Sequence, residues 1–138
     1  MHRLFVYGSL KQGFPNFHVN RGRRVDGDYL TAEPHPLFLF GGHLPCLLPQ
    51  PGSGLHVRGQ LFAVDDDALA AMDRLERVGE PGGYRRGTIV VVRDGAEPAA
   101  PSISAFVYLQ QPEFLARGGP HEGPIAEYTP AMATRLRW

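Results

Sequence analysis

VRGQLFAVDDDALAAMDRLERVG, residues 57–79, changes its periodicity partway along. Residues 57–64 form a short run rich in branched and aromatic side chains, which predicts a β-strand. From residue 65 the spacing becomes helical. Three aspartates open the segment where the helix macrodipole favours negative charge, and Gly79 supplies a C-terminal stop, so a helix is predicted over 65–79. At 100° per residue, Ala68, Leu69, Met72 and Leu75 make one apolar stripe, with Asp67, Ala70, Arg74 and Arg77 opposite. Glu76 falls inside the stripe, about 20° from Leu69. A carboxylate facing a core is costly unless it is paired, hydrogen-bonded or protonated, and burial raises its pKa. Three readings follow: a proton-transfer group, a structural ion pair with Arg85 or Arg86, or a side chain that escapes to water at the frayed helix end.

Around this segment the other apolar runs are short and read as strands: 4–7, PLFLF at 36–40, TIVVV at 88–92 and SISAFVYL at 102–109. In the last, Ile103, Ala105, Val107 and Leu109 share one face. TIVVV is apolar on both faces and predicts a central strand. The 17 glycines and 13 prolines cluster between these runs, at 11–16, 33–36, 41–54, 79–83, 94–101 and 117–124, as turns between short strands would. Beyond Gln110 the sequence predicts an irregular tail with a short helix over 131–136.

The chain has 138 residues, with 14 basic and 14 acidic side chains. That length suits one domain spanning 1–138, and the zero net charge provides no basic face for nucleic acid or an anionic membrane. Small-molecule partners are expected. Cys46 is the only cysteine and reads as a small buried hydrophobe, while Lys11, the only lysine, reads as a solvated loop charge. With no signal-peptide pattern and no apolar run of roughly 18 residues, a soluble cytoplasmic protein is expected. The six histidines show no zinc spacing, and no metal site is expected.

The first strand runs into YGSL, residues 7–10, a turn able to aim several backbone N–H groups at an anion. A plainer reading makes Ser9 an N-cap paired with Gln12 in a capping box. A phosphate loop is excluded, because Phe14 and Pro15 stand where Lys and Ser/Thr are needed.

FVYGSLKQGFPN at 5–16, GQLFAVDDDALAAMDRLE at 59–76, YRR at 84–86 and AFVYL at 105–109 occur in an order that resembles the γ-glutamylcyclotransferase-like superfamily. The nearest branch is that of the γ-glutamylamine cyclotransferases, and the resemblance covers roughly residues 3–110. It implies an α+β fold around a mixed, barrel-like sheet with few short helices, in which the glycine-containing loop and a helix-borne glutamate meet at a cavity. It also implies cofactor-independent conversion of a γ-glutamyl amide into 5-oxoproline and a free amine. Carried onto this chain, it assigns catalysis to Glu76 and substrate binding to Tyr7, Gly8, Ser9 and Leu10, with Tyr84 and Tyr108 lining the pocket. Glutathione-specific cleavage and a non-catalytic binding module for an acidic metabolite are the alternatives.

Overall fold

Alternation of large apolar with polar or small residues sends one side of each strand inward, and the sheet closes on itself. The structure, a computed structural model, describes residues 1–41, 44–97, 100–116 and 121–134. Five strands make the closed barrel: β1 (His2–Val6), β2 (Arg23–Thr31), β5 (Arg58–Val64), β6 (Arg85–Arg93) and β7 (Ile103–Leu109), in the order β1-β5-β2-β6-β7. Four neighbouring pairs are antiparallel, and β7 closes the barrel against β1 in parallel, with Leu4 opposite Phe106, so the sheet is mixed. Two further strands, β3 (Leu37–Phe40) and β4 (Leu44–Leu47), form a hairpin that β8 (His121–Glu122) extends. The fold is α+β, as expected.

Two apolar layers result. Phe5, Leu61, Ile89, Val91, Ala105 and Val107 point into the barrel and fill it. Leu4, Val6, Phe62, Val64 and Tyr108 point outward and are covered by Ala68, Leu69 and Met72 of helix α1 (Asp66–Leu75). Each of β1, β5 and β7 is therefore apolar on both faces, the inner one for the barrel and the outer one for α1. TIVVV was expected to form a central strand, and β6 pairs with β2 on one edge and β7 on the other; its outer face is not covered by α1, so Ile89 and Val91 are interior while Val90 is 45% exposed.

The predicted helix begins where expected. Asp65 is its N-cap, accepting 2.7 Å from the Ala68 N–H. It ends earlier than Gly79. Arg77 takes a left-handed conformation (φ 58°), its N–H donates to Arg74 O, and Val78 N–H donates to Asp73 O. This is the Schellman arrangement, with arginine where glycine is usual, and it makes Glu76 the C-cap.

Strands β2 and β4 escaped the sequence reading. In β2 the register shifts between Val25 and Tyr29, and Asp26, Gly27 (φ 92°) and Asp28 mark a bulge that resembles a turn in sequence. Proline and flanking glycines disguised β4.

The segment beyond Gln110 is not the irregular tail expected. It contains α2 (Pro112–Ala116), β8 and α3 (Pro130–Ala133), and Tyr128 is fully buried with Leu39 and Ala133. The predicted 131–136 helix is observed as α3, ending in a C-cap at Thr134; residues 135–138 lie outside the described part. Among the described residues, no helix is long and apolar enough to cross a membrane.

Candidate functional site

The end of β1, the end of α1, the start of β4 and the end of β7 converge around a cavity of about 260 Å³. All seven residues singled out in the sequence line it: Tyr7, Gly8, Ser9 and Leu10 on one wall, with Glu76, Tyr84 and Tyr108 also at its border. Its size is near the lower end of small-molecule pockets, roughly 300 Å³ upward. Asn16, Pro45, Leu75 and Gly83 complete parts of the wall that the sequence reading did not name. Asn16 lay within a motif stretch, but its role depends on a turn that brings it back to Ser9. Pro45 sits on the strand that was not recognised.

Three connections shape the loop at 7–10. Lys11 N–H donates to Gly8 O, Asn16 N–H to Ser9 O, and Asn20 Nδ2 to Leu10 O at 3.0 Å. The carbonyls are thus used internally. Among the described residues, no protein acceptor takes the N–H groups of Gly8, Ser9 or Leu10. Gly8 is needed because a Cβ there would stand 2.9 Å from Pro45 Cγ. The capping-box alternative is not formed: Gln12 N–H donates to Gln60 Oε1, and the Ser9 hydroxyl accepts from Asn16 Nδ2 at 2.9 Å.

Glu76 is held by its backbone. Its N–H donates to Met72 O and its carbonyl accepts from Tyr84 N–H, so the turn after α1 fixes both the carboxylate and a second cavity residue. The carboxylate is part-buried, with the cavity on one side and the protein crowding water away elsewhere. Desolvation pushes its pKa up to about 7. The ion-pair reading with Arg85 or Arg86 is not realised. Arg86 Nη1 binds Asp73 Oδ2 at 2.6 Å, and among the described residues no ion pair reaches Glu76.

The tyrosines are fixed by their hydroxyls. Tyr7 OH donates to Tyr108 O at 2.6 Å, Tyr84 OH to Pro45 O, and Tyr108 OH to Asp73 Oδ1 at 2.7 Å. Burial, reinforced by nearby groups including Glu76, raises the pKa of all three. They remain neutral phenols.

Cys46 is fully buried, as expected, with its Sγ 3.8 Å from Tyr84 OH, and burial pushes the thiol up to about 11. Lys11 is not the solvated charge expected. It is only 3% exposed, its ammonium donates to Tyr128 O at 2.6 Å, and it lies 4.3 Å from the centre of the Phe14 ring. Among the described residues, no group of three or more His, Cys, Asp or Glu is placed to hold a metal.

Fold and cavity together define a small α+β barrel protein in which a carboxylate without a counter-ion among the described residues lines the same cavity as the loop at 7–10. The chain belongs to the gamma-glutamyl cyclotransferase, AIG2-like family, whose sequence profile matches residues 4–128. It is 40% identical over 118 residues to the gamma-glutamylaminecyclotransferase of Homo sapiens, covering 76% of each chain. It is 36% identical to the Rattus norvegicus protein of the same name over 117 residues, which is 78% of this chain and 77% of that one. The crystal structure of an AIG2-like protein from Mus musculus superposes with a TM-score of 0.73 at 34% identity, covering 94% of this chain and 88% of that one.

Proposed function

We propose that this protein is a γ-glutamyl amide cyclotransferase acting on γ-glutamylamines, with 5-oxoproline and a free amine as products. The observation that carries the reading is Glu76: a carboxyl raised to about 7, without a counter-ion among the described residues, at a cavity bordered by residues 7–10. Family membership and the printed names of the relatives from Homo sapiens and Rattus norvegicus support it.

The chemistry needs what this site offers. The substrate's α-amine nitrogen attacks its own δ-carbonyl carbon, forming the ring C–N bond, and the bond to the leaving amine then breaks. No protein nucleophile, metal or cofactor enters this scheme. An α-ammonium with a pKa near about 8 must first lose a proton, and the departing amine must gain one. Glu76 accepts the first proton and delivers the second, a task for which a pKa close to neutrality is suited.

The open amides of Gly8, Ser9 and Leu10 would bind a substrate anion, either the developing oxyanion or the α-carboxylate. The tyrosine rings and Leu10 would confine the glutamyl chain in its folded form; such positioning is worth up to roughly 7 to 11 kcal/mol. Arg86 is bound to Asp73, which favours this reading over a binding module with a neutralised glutamate. A cytoplasmic setting is part of the proposal.

The test is release of 5-oxoproline from a γ-glutamylamine by the wild type and by Glu76→Gln, which preserves shape and abolishes proton exchange. The variant should lose about 100-fold or more in kcat. Equal rates would remove Glu76 from the mechanism.

A further inference from the structure

Four side-chain hydroxyls border the cavity, and three have already committed their protons within the protein. Those of Tyr7, Tyr84 and Tyr108 donate to Tyr108 O, Pro45 O and Asp73 respectively. The fourth belongs to Ser9 and is engaged in the opposite sense. Its Oγ accepts from Asn16 Nδ2 at 2.9 Å, while Asn16 N–H donates to Ser9 O at 2.9 Å. Asn16 is 7% exposed, so the two-point contact is sheltered from competing water.

A serine hydroxyl has one proton and two acceptor lone pairs. With one lone pair facing the Asn16 amide, the proton must point elsewhere, and no acceptor among the described residues takes it. The cavity is where an acceptor can arrive. The neighbouring amides of residues 8–10 are likewise open donors, so an incoming anion would meet backbone and side-chain donors together.

We propose that Asn16 is a positioning residue that fixes the Ser9 hydroxyl as a hydrogen-bond donor to an anionic oxygen of the bound glutamyl unit. The inference rests on the cyclotransferase reading for the identity of that unit. Asn16 need not touch the substrate: its amide decides which way the Ser9 proton points.

The experiment is a double-mutant cycle with Ser9→Ala and Asn16→Ala, singly and combined. It is read as kcat/KM for 5-oxoproline formation and, independently, as Kd for 5-oxoproline measured by calorimetry. Each single variant should lose about 10-fold, the scale of a hydrogen bond to a charged group, and the double variant should lose no more than either alone. Ser9→Thr, which keeps a hydroxyl, should retain most of the activity. Asn16→Asp, which accepts where Asn16 donates, should resemble Ser9→Ala in Kd once substrate repulsion is subtracted with the Ser9→Ala/Asn16→Asp pair.

Multiplicative losses would overturn the proposal, because Asn16 would then be acting on the loop independently of Ser9. An Asn16→Ala protein indistinguishable from wild type would overturn it too. If the wild type forms no 5-oxoproline from γ-glutamylamines, the cyclotransferase reading fails, and the Kd cycle still decides the Asn16–Ser9 coupling. Absence of both 5-oxoproline formation and 5-oxoproline binding in the wild type would overturn both.

Discussion

Arg86 is bound to Asp73, at 2.6 Å, and not to Glu76 one helical turn further along α1. The second oxygen of Asp73 accepts from Tyr108 OH at 2.7 Å. A single carboxylate thus absorbs both the Arg86 guanidinium and the phenol of Tyr108, which lines the cavity. Glu76 is left desolvated and without a counter-ion among the described residues, the condition that raises its pKa.

Asp73→Asn removes the charge that anchors Arg86. The guanidinium, which also lies 4.9 Å from the centre of the Phe106 ring, would then remain near the helix without its partner. A cation free to approach Glu76 favours its ionised form and lowers its pKa. The ascending limb of the kcat/KM profile, expected near pH 7 in the wild type, should shift toward lower pH. A pH–rate series on both proteins checks this; an unmoved limb would show that Asp73 does not control Glu76.

Glu76 should also make stability depend on pH. Its folded pKa of about 7 lies above the ordinary value of 4.5, so the folded protein holds the proton more tightly than the unfolded chain. That advantage is complete below pH 4.5 and is lost as pH rises to 7. Glu76→Gln carries no such loss. Across this window it should gain on the wild type by up to about 3 kcal/mol in denaturant titrations. A constant difference between the proteins would contradict the desolvated carboxyl.

Lys11 has the opposite sign. Burial lowers its pKa from 10.5 to about 8, against the support of Glu127 and Asp28 and with the opposition of Arg58 and Arg24. Between those values the folded state gives up its proton before the unfolded chain does, so stability rises with pH. Compared with Lys11→Met, the wild type should gain up to about 3 kcal/mol between pH 8 and 10.5. Parallel unfolding curves at pH 7.5 and 10 would count against a buried ammonium.

The turn after α1 yields a prediction from two adjacent glycines. A Cβ on Gly83 would run into the Arg77 carbonyl oxygen, whereas at Gly82 (φ 76°) nothing stands within 4 Å. Gly83→Ala must push apart the turn that joins Glu76 to Tyr84, and should cost about 2 kcal/mol or more together with most activity. Gly82→Ala pays only for its left-handed backbone, about 1 to 2 kcal/mol, and should keep a working site. Thermal unfolding and 5-oxoproline assays on the pair make the comparison; equal damage would show that the Gly83 contact does not hold the turn.

Local pattern carried much of this fold. The alternation in 102–109 placed Ile103, Ala105 and Val107 inside the barrel, and the helical spacing after Asp65 put Ala68, Leu69 and Met72 against it. Bulges and prolines interrupt such patterns, which is why β2 and β4 were hidden. Tyr128 gave no local sign of burial either, since it is enclosed by Leu39 and Ala133, which are distant in sequence or on the other side of a proline turn.

The sequence by itself determined the strand-to-helix framework, the family resemblance and seven of the residues that border the cavity, because periodicity and motif order are properties of the chain. Tertiary structure decided their electrostatic state. Whether Arg86 would neutralise Glu76, whether Lys11 would be solvated, and which way the Ser9 hydroxyl would be engaged all depend on partners brought together by folding. Charge and hydrogen-bond direction are set by distance and by exclusion of water, and neither is written in the order of residues.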